Sequence, residues 1–284
     1  MNIDKHVQSS GQSSVEPSGE TIVETRNLTK RYGEFTALDD LTISIKRGEI
    51  LGFIGPNGAG KTTTIKILVG LSKPTAGSAS ICGADCLSQA RKIKRLVGYM
   101  PDRFGSYENM RVSEYLDFFA AAFRVPWLKR KKRIDEVLEF TNAEYMRDRF
   151  VETLSHGMQQ RVGIARTLLH DPEVLILDEP ANGLDPQARV DMRDLLLRLA
   201  SSGKTLIVTS HILPELSRIC NQVAIITNGK LRAFGPLSHI MSAVSQLRVH
   251  EVQVGREVIL DHATQLINRT LPDAQDVVAS VAEH

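Results

Sequence analysis

Cysteine is scarce in this chain: Cys82, Cys86 and Cys220 are the only three among 284 residues. An odd number leaves no complete disulfide framework, and no second Cys or His pair stands at zinc-ligand spacing. The three are read as reduced thiols of a cytosolic chain. Charge of one sign is lacking too. A formal net charge of +2 argues against a chain whose main partner is a nucleic-acid backbone. No apolar run approaches the roughly 20 residues needed to cross a bilayer, so membrane work would require other subunits. Residues 1–20 lack the apolar centre of a secretory signal. Rich in Ser, Gln and Gly, they are expected to form a disordered tail. There is no internal repeat and no sustained heptad. What remains, 42% hydrophobic and 24% charged, suits one large globular domain or two small ones.

What is present is a glycine loop in a telling place. The apolar run Ile50-Leu51-Gly52-Phe53-Ile54 leads into Gly55-Pro56-Asn57-Gly58-Ala59-Gly60-Lys61-Thr62, and Thr63-Thr64-Ile65-Lys66-Ile67-Leu68 follows as a helix. Strand, loop and helix stand in the order of a phosphate-binding P-loop. Glycines let the backbone turn tightly and aim N–H groups at phosphate oxygens. The helix directs its positive end at the same anion. Lys61 is expected to reach the β- and γ-phosphates and Thr62 to offer a hydroxyl to Mg²⁺. The expected ligand is a nucleoside triphosphate.

Residues 22–45 alternate in short runs broken by Arg31-Tyr32-Gly33, which predicts antiparallel strands. Further strands are expected at 77–82 and 96–100. From 103 to about 149 the period becomes helical, with Val112, Tyr115, Leu116, Phe119 and Phe123 on one face and Ile134, Val137, Leu138 and Phe140 on another. Beyond it, Val174–Leu177, Thr205–Thr209 and Val223–Thr227 read as buried parallel strands, and 186–199 as a helix. The fold class is α/β with a mainly parallel core sheet, an N-terminal antiparallel subdomain and an inserted helical subdomain at about 103–160. Residues 237–284 are weakly periodic and their role is not legible. Lys129 to Arg133 is a dense basic run. It admits a nucleic-acid or anionic-membrane contact, but the balanced charge elsewhere favours a solvated helix face.

Two more elements follow predicted strands. Asp178-Glu179 comes directly after Val174–Leu177. Adjacent carboxylates there are costly unless cations or hydrogen bonds meet them, so Asp178 is expected to meet Mg²⁺ and Glu179 to polarise the attacking water. His211 lies just past Thr209. Ligand groups gather at the carboxyl ends of strands in open parallel sheets, which favours a γ-phosphate contact for His211.

Between the P-loop and Asp178 stands Leu154-Ser155-His156-Gly157-Met158-Gln159-Gln160-Arg161, which resembles the signature motif of ABC ATPases. The resemblance spans about 21–236. It implies a P-loop NTPase of ABC type that binds ATP and Mg²⁺, with Tyr32 stacking on adenine. It further implies that Ser155 and Gly157 touch the nucleotide of a second copy. Ala181-Asn182-Gly183-Leu184-Asp185 would couple the two sites, with Glu179 the catalytic glutamate and His211 the switch histidine. Membrane permease subunits on a separate chain are the implied partners, docking near 102–123, with no nucleic acid. The protein would then be cytoplasmic and peripheral on the inner face of the cell membrane, and phrases such as Lys73-Pro74-Thr75-Ala76-Gly77 resemble export-type subunits. Two positions depart from the family. His156 stands where Gly is usual, and Asp102 stands where Gln is usual. Asp102 can ligate Mg²⁺ but adds negative charge near the γ-phosphate. An ATPase of a soluble machine, such as iron–sulfur assembly, and a regulatory protein with little turnover stay open as alternatives.

Overall fold

The first two strands, β1 (Thr21–Tyr32) and β2 (Phe35–Lys46), form an antiparallel hairpin. In β2 buried and exposed residues alternate from Leu41 to Lys46, the signature of a sheet packed on one face. In β3 (Ile50–Ile54) all five residues are buried, as in a strand covered on both faces. Helix α1 (Lys61–Leu68) follows, then β4 (Ala76–Ile81), β5 (Ala84–Asp85), α2 (Ala90–Leu96) and β6 (Val97–Met100). Helices α3 (Val112–Ala122) and α4 (Trp127–Phe140) lead through two short 3₁₀ turns to α5 (His156–Leu168). The chain continues with β7 (Val174–Leu177), α6 (Pro186–Ser201), β8 (Thr205–Ser210), α7 (Leu213–Leu216), β9 (Gln222–Thr227), β10 (Lys230–Pro236) and α8 (Leu237–Gln246). This computed structural model describes residues 19–102, 105 and 109–246.

The strands run in the order β5-β4-β1-β2-β10-β9-β3-β8-β7-β6. From β9 to β6 all neighbours are parallel, whereas β10 runs antiparallel to β9 and β1, β2, β4 and β5 pair antiparallel. The expectation of a mainly parallel core beside an antiparallel subdomain is met. A single bridge, Lys230 to Asp39, joins the two parts along β10 and β2. Gly229 reinforces it: its N–H donates to the Ala59 carbonyl at 2.9 Å and its carbonyl accepts from Asp39 N–H at 2.8 Å. Gly229 sits at φ +75, and a Cβ there would lie 3.0 Å from the Ala37 oxygen, so both posture and space demand glycine.

Two apolar clusters fill the structure. One lies between the antiparallel strands, α1 and the parallel sheet, around Leu38, Phe53, Ile65 and Ile226. The other joins α3, α4 and α5 to the opposite face of the sheet through Tyr115, Leu138, Ile164 and Leu177. Helix α5 runs without interruption past residue 160, where the helical insert was expected to end. It begins at His156, where Ser155 Oγ caps it by accepting from Met158 N–H at 3.4 Å. The expected tail at 1–20 lies outside the described residues up to 18, and the segment 237–284 does so from 247. The chain divides into compact units at 1–242 and 243–284; of the second, only the end of α8 is described. No described helix is long and apolar enough to cross a membrane.

Candidate functional site

Four parallel strands deliver chemistry at their carboxyl ends. β3 ends at the P-loop, β6 just before Asp102, β7 at Asp178 and β8 just before His211. Between them and the hairpin lies a cavity of about 310 Å³, near the lower end of small-molecule sites. Tyr32, Pro56 through Thr63, Asp102, Asp178 and Glu179 all line it, as does Phe35. Tyr32 and Phe35 are exposed, at 51% and 64%, so they form an open apolar flank rather than a closed slot.

The loop owes its shape to its glycines. Gly60 caps α1 at φ +111, and a Cβ there would press 2.8 Å from the Ala37 oxygen. A Cβ on Gly55 would meet the Ile226 oxygen at 2.3 Å. Lys61, buried at the start of α1, donates to the carbonyls of Gly55 at 2.6 Å and Pro56 at 3.2 Å. Thr62 is exposed beside it.

Opposite stand the carboxylates. Asp178 is buried, and Thr209 Oγ1 donates to it at 2.6 Å. Burial raises the Asp178 carboxyl above its usual range; the Thr209 bond works against this, Asp102 adds to it, and Lys61 opposes it more weakly. The same Thr209 hydroxyl accepts the Glu179 N–H at 2.9 Å. Glu179 sits at φ +51, a left-handed posture uncommon for a non-glycine residue. Its side chain meets His211 Nδ1 at 3.0 Å and lies 3.8 Å from Lys61 Nζ. Oxygen donors from Thr62, Asp102 and Asp178 around one cavity suit a hard cation such as Mg²⁺. Among the described residues no group of three or more His, Cys, Asp or Glu forms a metal cage by itself.

Ser155, Gly157 and Asp185 do not line this cavity. Asp185 caps α6 by accepting from Ala188 N–H at 2.8 Å. A Cβ on Gly157 would make only ordinary contacts, 3.4 Å to Ala188 Cβ and 3.7 Å to Leu184 Cδ2. His156, at the first departure from the family pattern, turns its ring onto the 181–185 loop and bonds the Asn182 carbonyl through Nε2 at 2.9 Å.

The family profile described as "ABC transporter" matches residues 38–182. A Nod factor export ATP-binding protein I from Ralstonia nicotianae is 37% identical over 262 residues, 92% of this chain and 77% of that protein. The chain belongs to the ABC transporter family. The bacitracin transport ATP-binding protein BcrA of Bacillus licheniformis is 43% identical to this ABC ATPase over 221 residues, 78% of this chain and 71% of that protein. A solved ATP-binding subunit of an ABC transporter superposes with TM-score 0.71 at 30% identity, covering 87% of this chain and all of that one. The dimeric ATP-binding cassette MJ0796, bound to ADP and Pi after hydrolysis, gives TM-score 0.68 at 27% identity over 76% of this chain and 99% of that one. The fold is therefore that of an ABC ATPase. ATP is its nucleotide and ATP hydrolysis linked to transport its activity.

Sequence reasoning about this ABC ATPase did not single out Thr209 or Phe35. Thr209 had a signal, a hydroxyl closing an otherwise apolar strand, Leu206-Ile207-Val208. Phe35 had none beyond its place two residues past the Gly33 turn.

Proposed function

We propose that two copies of this chain close head to tail over two ATP–Mg²⁺, and that the closing and opening drive export through separate membrane permease subunits. The observation that carries the reading is the division of the motif residues. One cavity collects Lys61, Thr62, Asp178 and Glu179, while Ser155 and Gly157 stand outside it on a helix N-terminus. A helix start with a bare Gly157 that its own fold does not require is suited to phosphate arriving from elsewhere. Residues 21–236 make up the ATP-binding domain in this reading, with the helical insert at about 103–160.

Each copy would then use its own residues as follows. The P-loop amides and Lys61 hold the β- and γ-phosphates, with Thr63 adding a contact, and Tyr32 stacks on the adenine. Thr62 and Asp178, with Asp102, would hold Mg²⁺, which supplies charge neutralisation on the phosphate oxygens. Glu179 accepts the proton of the attacking water as its oxygen bonds to the γ-phosphorus and ADP leaves. His211, bonded to Glu179, orients that carboxylate and contacts the γ-phosphate. Asp185 belongs to the loop that links the paired sites. Loss of the γ-phosphate removes the bridge between copies, so the closed pair reopens.

Export rests on the transport relatives, which also disfavour a soluble machine or a low-turnover regulator. The chain would work in the cytoplasm, held at the inner face of the cell membrane by its permease, with the 102–123 region as docking site.

Glu179→Gln tests the reading. It should bind Mg-ATP normally, lose about 10²-fold or more in turnover and elute as a dimer on size exclusion. Ordinary turnover by that variant would remove Glu179 from the reaction.

A further inference from the structure

The basic run on α4 splits in two when its side chains are followed. Arg130 turns inward, its Nε donating to the Val125 carbonyl at 2.9 Å, with Asp117 3.8 Å away. Arg133 does likewise, donating to the Leu168 carbonyl at 2.6 Å and the Leu169 carbonyl at 3.2 Å. These two tie α4 to its neighbours. Lys129, Lys131 and Lys132 point outward and are exposed; among the described residues, only Lys132 of the three pairs with a carboxylate, Glu136 at 3.8 Å.

Immediately ahead of them, at the first turn of α4, Trp127 and Leu128 are each 75% exposed. Helical spacing sets Trp127 one turn from Lys131 and Leu128 one turn from Lys132, so each of these two exposed lysines stands one turn behind an exposed apolar side chain. Largely exposed Trp and Leu at consecutive positions are unusual on a surface with no use for them. Between Asp117 and Asp135 the chain carries six basic residues and no acidic one, although the whole chain has net charge +2. The positive charge is therefore concentrated beside the exposed indole.

We infer that this corner of α4 rests on an anionic phospholipid surface, with Trp127 and Leu128 entering the headgroup layer and Lys129, Lys131 and Lys132 against lipid phosphates. The chemistry matches each part. Indole favours the interface between water and acyl chain. Lysines one turn behind it can bury their stems and leave the ammonium among anions. A bare polyanion would use the lysines but leave two large apolar side chains in water. A protein groove would take the apolar pair but has no evident need for three lysines of one sign. The inference goes beyond the ATPase reading and does not depend on it.

Trp127 is the sole tryptophan of the chain, so intrinsic fluorescence reports this corner alone. The full-length protein should show a blue-shifted emission with vesicles containing phosphatidylglycerol, and none with phosphatidylcholine alone. The shift should fade at about 0.5 M salt, where charge attraction is screened. Each lysine near an anionic surface strengthens binding about fivefold. The Lys129→Ala/Lys131→Ala/Lys132→Ala variant should therefore bind about a hundredfold more weakly, with ATPase and melting temperature unchanged. Three results would each overturn the inference: no shift on anionic vesicles; an equal shift on neutral ones; or a shift produced by a short RNA or by detergent-solubilised permease while vesicles give none.

Discussion

A carboxylate proposed to take a proton must be held still, and Glu179 is held through its backbone as well as its side chain. Its left-handed φ of +51 costs on the order of 1 kcal/mol. Thr209 anchors the amide, Asn182 N–H donates to the Glu179 carbonyl at 3.1 Å, and His211 meets the carboxylate. Gly157 presents the opposite case, a residue whose smallness its own chain does not use. Gly157→Ala should fold normally, with melting temperature within about 2 °C of the parent, because an added methyl meets only ordinary contacts. Its ATPase rate should fall at least about tenfold, since crowding would displace the proposed phosphate contact. Calorimetry and a phosphate-release assay would decide it, and an unchanged rate would break the link between this glycine and nucleotide. The residue types at both positions were legible in the sequence. The Glu179 posture and the double role of Thr209 were not, because both arise where β7 and β8 lie side by side, 30 residues apart in the chain.

Elements were legible in proportion to the regularity of their burial. β3 and β7 are continuous apolar runs and β8 has an apolar centre at Leu206-Ile207-Val208, and each is buried along its whole length. α3 showed its inward face through Val112, Tyr115 and Leu116. α2 has only Ile93 buried among seven largely basic residues, and β10 is exposed or half-exposed at every position, so neither offered a pattern to read. The start of α5 is decided by a capping serine rather than by hydrophobic period. Between α3 and α5 a polar link crosses the apolar cluster: Arg166 donates to the Tyr115 hydroxyl at 2.8 Å, and that hydroxyl donates to the Gly105 carbonyl at 3.2 Å. The Arg166 guanidinium also lies over the Phe119 ring, 5.0 Å from its centre. Tyr115→Phe should cost about 1–2 kcal/mol, because a buried guanidinium loses an acceptor while the ring stays in place. Urea unfolding would show it as a lower midpoint at unchanged slope. A midpoint equal to the parent's would mean that the hydroxyl carries no net stability.

At the scale of the whole molecule, pH acts through His170. Its ring stacks on Phe123 at 4.3 Å between centres and bonds the Val97 carbonyl through Nε2 at 3.0 Å, joining the end of α3, β6 and the end of α5. Burial lowers its pKa below the ordinary 6.5, the Val97 bond opposes that, and Arg133 lowers it further; Asp171 raises it and Lys204 lowers it more weakly. The sign follows from linkage. A histidine depressed in the folded state contributes stability that is fully present above 6.5 and is lost as pH falls through the lower folded value. The melting temperature should therefore drop on acidification below pH 6.5, and His170→Gln should drop less steeply over the same interval. Parallel curves for the two proteins would exclude His170 as the source. Cys86 and Cys220, both pushed up to about 12 by burial, stay protonated at neutral pH and take no part in that response.

The backbone of Gly229 has a reach that its small size conceals. One of its edges grips the phosphate loop at Ala59, and the other grips the hairpin at Asp39. The flank bearing Tyr32 and Phe35 and the loop bearing Lys61 are thus spaced by a residue that does not line the cavity. Under the proposed reading, nucleotide recognition is gauged from behind: a fault in ring-to-phosphate spacing can originate at the rear of the sheet and still read out as weakened ATP binding, with every proposed contact residue intact.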